Sequence, residues 1–127
     1  MQEMFNRANA FNGDLSKWVV SKVTNMHEMF YAALAFNQDL SKWDVSNVVT
    51  MQAMFYNAFA FNQDLSKWDV SKVTSMNNMF YNAKAFNQVL CGEAWVNSKA
   101  TQNNMFGNSP GKISAKCKLC MYVCVYV

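Results

Sequence analysis

The run Phe36-Asn37-Gln38-Asp39-Leu40-Ser41-Lys42-Trp43-Asp44-Val45 returns unchanged at residues 61–70, and weaker copies start at Phe11 and Phe86. Trp18, Trp43 and Trp68 keep one constant interval, and Phe5, Phe30, Phe55 and Phe80 keep the same one, a 25-residue period. A fixed period of this size marks a stacked-repeat architecture, because one unit cannot bury its apolar face alone and must borrow a neighbour's. The copies fade at both ends. The interval from Trp68 to Trp95 is longer by two positions and that from Phe80 to Phe106 by one, so residues 91–112 read as a degenerate last coil.

Within one copy, Leu40-Ser41-Lys42-Trp43-Asp44-Val45 has the L-x-x-L-x-L spacing of a leucine-rich-repeat strand, with Trp and Val in two of the Leu places. Trp43 and Val45 then face inward while Lys42, Asp44 and Ser46 face outward, and the same alternation holds at Trp18/Val20 and Trp68/Val70. Downstream, Met51, Met54, Phe55 and Ala58 lie at offsets 0, 3, 4 and 7, which outline one face of a helix about two turns long. Asn25, Thr50 and Ser75 precede these stripes as N-caps. The expected fold is therefore α/β, a leucine-rich-repeat-like solenoid in which each coil is a short parallel strand plus a short helix. Residues 1–112 form it, as a partial first coil, three 25-residue units and the degenerate last coil; residues 113–127 are an apolar, Cys-containing tail.

Three columns are expected to build the core: Trp18, Trp43 and Trp68; Phe30, Phe55 and Phe80; and the asparagines Asn37 and Asn62. An Asn repeated in one column can bond the backbone of the next turn, so Asn37 and Asn62 are expected to be buried and structural.

Composition bounds the function. The chain has 127 residues, 52% hydrophobic, which suits one elongated domain and excludes a disordered segment. A net charge of +3 spread one or two lysines per repeat does not make a nucleic-acid footprint. No stretch has the roughly 20 apolar residues of a membrane span, and neither a signal peptide nor an Asn-x-Ser/Thr sequon is present in this sequence.

The units beginning FNQDLSKWDVS, with the order W-D-V-S-x-V-T-x-M-x-x-M-F, resemble the repeats of BspA-like leucine-rich repeat surface proteins, the 25-residue type grouped with mycoplasmal lipoproteins as a domain of unknown function. The resemblance covers about residues 1–110 and implies a repeat array presented at a cell surface or secreted, with adhesion in some members. It carries over no catalytic residue. Val19 departs from the pattern, which has Asp there.

Candidate chemistry is sparse. Outward columns of Lys17, Lys42 and Lys67, of Val19, Asp44 and Asp69, and of Ser21, Ser46 and Ser71 form either a self-compensating lattice of opposite charges or a binding face. Cys117-Lys118-Leu119-Cys120 has C-x-x-C spacing, with Cys124 beyond, but a single short pair is a weak metal signal, and Met121–Val127 reads as an apolar strand that needs cover. His27 is the sole histidine and reads as a surface residue, so no nucleophilic triad is expected. The segment from Gly107 to Lys112 is a turn, the paired methionines are core, and Thr24, Val49 and Thr74 make too thin a column to bind ice. Neither cofactor nor metal is expected.

These readings converge on a non-enzymatic repeat scaffold that mediates protein or surface-glycan interaction. The alternative is a structural subunit or capping fragment of a larger assembly, docked through the C-terminal tail.

Overall fold

The computed structural model describes residues 1–117. Backbone hydrogen bonds divide them into units 1–25, 26–50, 51–75, 76–101 and 102–117, each lying against the next. In the second unit the N–H of Met26 donates to the carbonyl of Thr50, the unit's last residue, and those of Glu28, Phe30 and Ala32 donate to Gln52, Met54 and Tyr56 of the next unit, at 2.7–3.0 Å. The third unit repeats this from Met51, Ala53, Phe55 and Asn57, and the fourth from Met76, Asn78, Phe80 and Asn82. Isolated parallel bridges run Asn25 to Thr50 to Ser75 to Thr101.

The strand-plus-helix expectation is overturned. Among the described residues the only regular elements are β1 (Val89–Leu90), α1 (Glu93–Val96) and β2 (Lys112–Ile113). β1 and β2 pair in parallel, with Val89 opposite Lys112 and Leu90 opposite Ile113. The chain is thus not a leucine-rich-repeat-like α/β solenoid: neither the Trp segments nor the Met/Phe stripes form the expected strand or helix.

Two local reasons account for this. In the Met/Phe stripe, alternate N–H groups leave for the neighbouring unit, so the i→i−4 bonds of a helix have no donors. The other amides close tight turns, Met29 to Met26, Tyr31 to Glu28 and Ala33 to Phe30. Glu28 and Ala32 adopt left-handed backbone at φ 53°, as do their counterparts one and two units on, which no right-handed helix accommodates. Met26, Met29, Phe30 and Ala33 are nonetheless all fully buried, because a chain of such turns puts the same four offsets on one side.

In the Trp segment, side chains take the N–H groups that a strand would use. Asp39 Oδ1 accepts from Ser41 N–H at 2.8 Å and Asp44 Oδ1 from Ser46 N–H at 3.0 Å. Trp43 N–H closes a turn on the Leu40 carbonyl. Short polar side chains often compete with secondary structure in this way. The inward and outward alternation survives without a strand: Trp43, Val45, Trp68 and Val70 are buried, while Lys42, Asp44, Lys67 and Asp69 are exposed. Asn25 and Thr50, expected as helix caps, instead hold the N–H of His27 (2.9 Å) and Gln52 (3.3 Å) in turns.

The core is a set of vertical columns. Phe5, Phe30, Phe55, Phe80 and Phe106 stack at 5.4–5.6 Å between centroids, with planes within 5° of parallel. Beside them Phe11, Phe36, Phe61 and Phe86 stack at 5.9–6.0 Å. Gly111 closes this second column, since a Cβ there would meet the Phe86 ring at 2.5 Å. Each buried indole reaches back one unit: Trp43 Nε1–H donates to the Leu15 carbonyl, Trp68 to Leu40 and Trp95 to Leu65, at 2.8–2.9 Å. A buried N–H is thereby satisfied at the contact between units.

Trp18 departs from the expectation. It is 40% exposed, and its ring packs on Phe5 at 5.7 Å. The asparagine column forms, but at the surface: Asn37 and Asn62 are exposed, not buried. Asn12 Oδ1 accepts from Asn37 N–H, Asn37 Oδ1 from Asn62 N–H and Asn62 Oδ1 from Asn87 N–H, all at 2.9 Å. The bond is made by one oxygen, and the rest of each side chain stays in water.

The left-handed positions yield a stability prediction. Asn57, Asn82 and Asn108 occupy φ 56–59°, a region Asn tolerates, and Asn82 Nδ2 donates to Asn57 Oδ1 at 2.8 Å. Ala32 holds the equivalent place at φ 53° with neither advantage. Ala32→Asn is expected to add a rung below Asn57 and raise the unfolding free energy by about 1 kcal/mol. Urea denaturation checks this, and no gain means the strain lies elsewhere.

Candidate interaction surface

The side chains left over from the core form the outward columns. Lys17, Lys42 and Lys67 are exposed along one line, and Val19, Asp44 and Asp69 along the next. Val19 is 88% exposed where its counterparts are carboxylates, so the first unit carries an apolar point in an otherwise polar column. Ser46 and Ser71 are tied into the same loops, donating their N–H groups to Asp44 and Asp69 at 3.0 Å.

This arrangement corrects the expected lattice of alternating charge pairs. Among the described residues the one ion pair is His27 Nε2 to Glu28 at 3.4 Å. Asp44 is engaged by Ser46 through both N–H and hydroxyl, and Lys17, Lys42 and Lys67 remain exposed. Exposed pairs gain too little Coulomb energy to order two long side chains, whereas a local carboxylate-to-backbone bond orders almost nothing new.

The same bonds hold the carboxylates ionised. Asp14 and Asp39 lie below the ordinary aspartate range because Ser16 and Ser41 donate their backbone N–H and side-chain hydroxyl. Asp44 and Asp69 are lowered first by the side chains of Ser46 and Ser71 and then by their N–H groups. A carboxylate with a depressed folded-state pKa stabilises the fold above the unfolded value and loses that contribution as pH falls through the folded one. Stability is therefore expected to drop progressively below about pH 4. Asp44→Asn/Asp69→Asn keeps the accepting Oδ1 and should flatten the drop, as measured by urea midpoints across the acid range.

Clefts open between units where the surface columns meet. One of about 250 Å³ lies between the second and third units and is lined by Asp39, Ser41, Gln63, Asp64 and Lys67. The next, about 220 Å³, shares Asp64 and Lys67 and ends at Cys91 and Cys117. A wider depression of about 710 Å³ runs between Ser71–Thr74 and the segment Glu93–Lys99 that contains α1. The longer Trp68-to-Trp95 spacing signals that irregularity in the sequence, but not its shape.

Cys91 and Cys117 form a disulfide, 26 residues apart. This pairing was legible in principle, because a stack with a 25-residue period brings residues about one period apart into contact. Cys117 is therefore not available as a thiolate ligand, and among the described residues no group of three or more His, Cys, Asp or Glu is placed to hold a metal. Cys120, Cys124 and the expected strand 121–127 lie outside the described residues. Among the described residues, no helix is long and apolar enough to cross a membrane.

A 25-residue unit with buried Trp, Met and Phe columns defines a family of repeat chains, and the comparison of sequences names it. Over residues 1–116 the chain belongs to the family described as "Mycoplasma protein of unknown function, DUF285". That match establishes the mycoplasmal type of family and does not extend to the BspA-like leucine-rich-repeat proteins in particular. No curated protein and no solved structure matches the chain.

Proposed function

We propose that the chain is a non-enzymatic repeat scaffold that binds a protein or a surface glycan through its regular polar columns. The observation that carries this reading is the in-register exposure of Lys17, Lys42 and Lys67 beside Asp44 and Asp69, held on loops whose turns are already closed by Ser46 and Ser71. A rigid array of identical groups offers a ligand several equivalent contacts at small ordering cost. Support for a non-catalytic role comes from the same bonds, since these aspartates are spent on turns. The resemblance of the repeat to BspA-like surface proteins supports presentation outside the cell. So does the Cys91–Cys117 disulfide, a bond that persists mainly in oxidising compartments.

The test is charge reversal at residues without structural bonds. Lys42→Glu/Lys67→Glu should reduce capture of partner cells or extracellular matrix by about tenfold or more, with an unchanged circular dichroism spectrum. Undiminished capture removes this face from the proposal. A purified chain that forms only higher assemblies in size-exclusion chromatography supports the subunit reading instead.

A further inference from the structure

We infer that the clefts running from Asp39 to the Cys91–Cys117 disulfide form one trough that binds a linear neutral polysaccharide along the axis of the stack. This deepens the scaffold reading and rests on it. The two clefts share Asp64 and Lys67, so they adjoin along the stack, from Asp39 in the second unit to Cys117 in the last. At the far end the repeat breaks: Val89 stands where Asp39 and Asp64 stand in earlier units, and the disulfide walls the cleft.

The polar groups in the trough are already fixed before any ligand arrives. Asp39 Oδ1 accepts from Ser41 N–H at 2.8 Å and Asp64 Oδ1 from Ser66 N–H at 2.9 Å, which leaves each carboxylate a second oxygen for a partner. Gln63 Nε2 donates to the Asn37 carbonyl at 3.3 Å and to its Oδ1 at 3.0 Å, and Gln88 repeats this on Asn62 at 3.3 and 2.9 Å. Each glutamine amide oxygen is thus held in place and accepts no hydrogen bond from another described residue. A ligand would meet a row of oriented acceptors with Lys67 as a donor, and would have few side chains to immobilise.

The chemistry of the row selects the ligand. Acceptors in excess call for a partner rich in hydroxyl donors. The charged side chains lining the two clefts are Asp39, Asp64 and Lys67, so the carboxylates repel a polyanion while the ammonium offsets part of what would attract a polycation. Val89 is the one aliphatic side chain lining the two clefts and no aromatic ring does, which gives an extended peptide a single apolar anchor, at the far end. The repeat distance matters too. Stacked rings one unit apart lie between 4.8 Å (Tyr31 on Tyr56) and 6.0 Å (Phe36 on Phe61) from each other, a span that includes the length of one sugar ring in an extended β-linked chain.

The experiment uses the full chain on an array of linear neutral oligosaccharides, including the β-1,4 glucose and β-1,4 N-acetylglucosamine series in increasing length, with sulfated glycans and extended peptides alongside. The expected result is binding to a neutral series that strengthens with length until the trough is filled, and about tenfold loss in Asp39→Asn/Asp64→Asn or in Gln63→Ala. The Asn substitutions keep the turn-closing oxygen, and circular dichroism should not change. Absence of binding to every neutral series overturns the inference, as does binding only to sulfated glycans or peptides, or binding that neither variant alters. If a protein partner is captured through Lys42 and Lys67 while every neutral glycan fails, this inference falls and the scaffold reading stands. Failure of both removes the scaffold reading as well.

Discussion

Phe55→Ala should cost about 3–5 kcal/mol of unfolding free energy, the range for emptying a fully buried aromatic site. Phe55 has no exposed surface and sits mid-column, 5.4 Å from Phe30, 5.5 Å from Phe80 and 4.1 Å from Phe61. Its removal leaves a void bounded by three parallel rings, none of which can collapse without pulling its own unit out of register. Small domains have about 5–15 kcal/mol to lose, so the variant should show a sharply lower urea midpoint and weakened cooperativity. Phe106→Ala is the control. That ring ends the column half-buried, with Phe80 on one side at 5.6 Å, and its loss should cost much less. Equal and small effects at both sites would show that the column is not a continuous core.

Cys91→Ser/Cys117→Ser should lower stability by about 3–4 kcal/mol, the chain-entropy contribution of a cross-link closing a loop of this length. The loss should concentrate at the end of the stack. β2 has two residues, and beyond its own pairing the segment is held by Lys112 N–H to the Gln88 carbonyl at 3.1 Å and Ser114 N–H to the Leu90 carbonyl at 3.3 Å. Hydrogen exchange of those two amides should rise strongly in the variant, while the amides of Phe30 and Phe55 stay protected. Unchanged protection of Lys112 and Ser114 would show that packing on Phe86 and Leu90, and not the cross-link, secures the segment.

Much of the surface chemistry followed from one number. Residues one period apart become neighbours, which accounts for the Phe and Asn columns, the lysine line and, with one extra residue, the disulfide. Other features were hidden because several structures share one pattern. Offsets 0, 3, 4 and 7 describe a helix face, yet Met26, Met29, Phe30 and Ala33 are buried equally well by consecutive turns. By alternation Asp44 and Asp69, with Ser46 and Ser71, read as outward strand residues beside a lysine column. In the structure Asp39, Asp44, Asp64 and Asp69 close turns, and one cleft opens where the turns at Asp39 and Asp64 meet.

The amino-acid order alone determined that copies must stack, that the Phe and Met columns enter the core, and that the chain belongs with 25-residue repeat proteins; it did not place Trp18, Asn37 and Asn62, which lie at the surface. The tertiary structure decided the path of the backbone inside each copy. An amide at Glu28 or Phe30 can bond a carbonyl one helical turn back or one in the following unit, and local sequence is compatible with both. The distant partner prevails because a two-turn helix repays little of its nucleation cost, while the bonds to the next unit run beside the Phe30–Phe55 and Tyr31–Tyr56 stacks, which reinforce them.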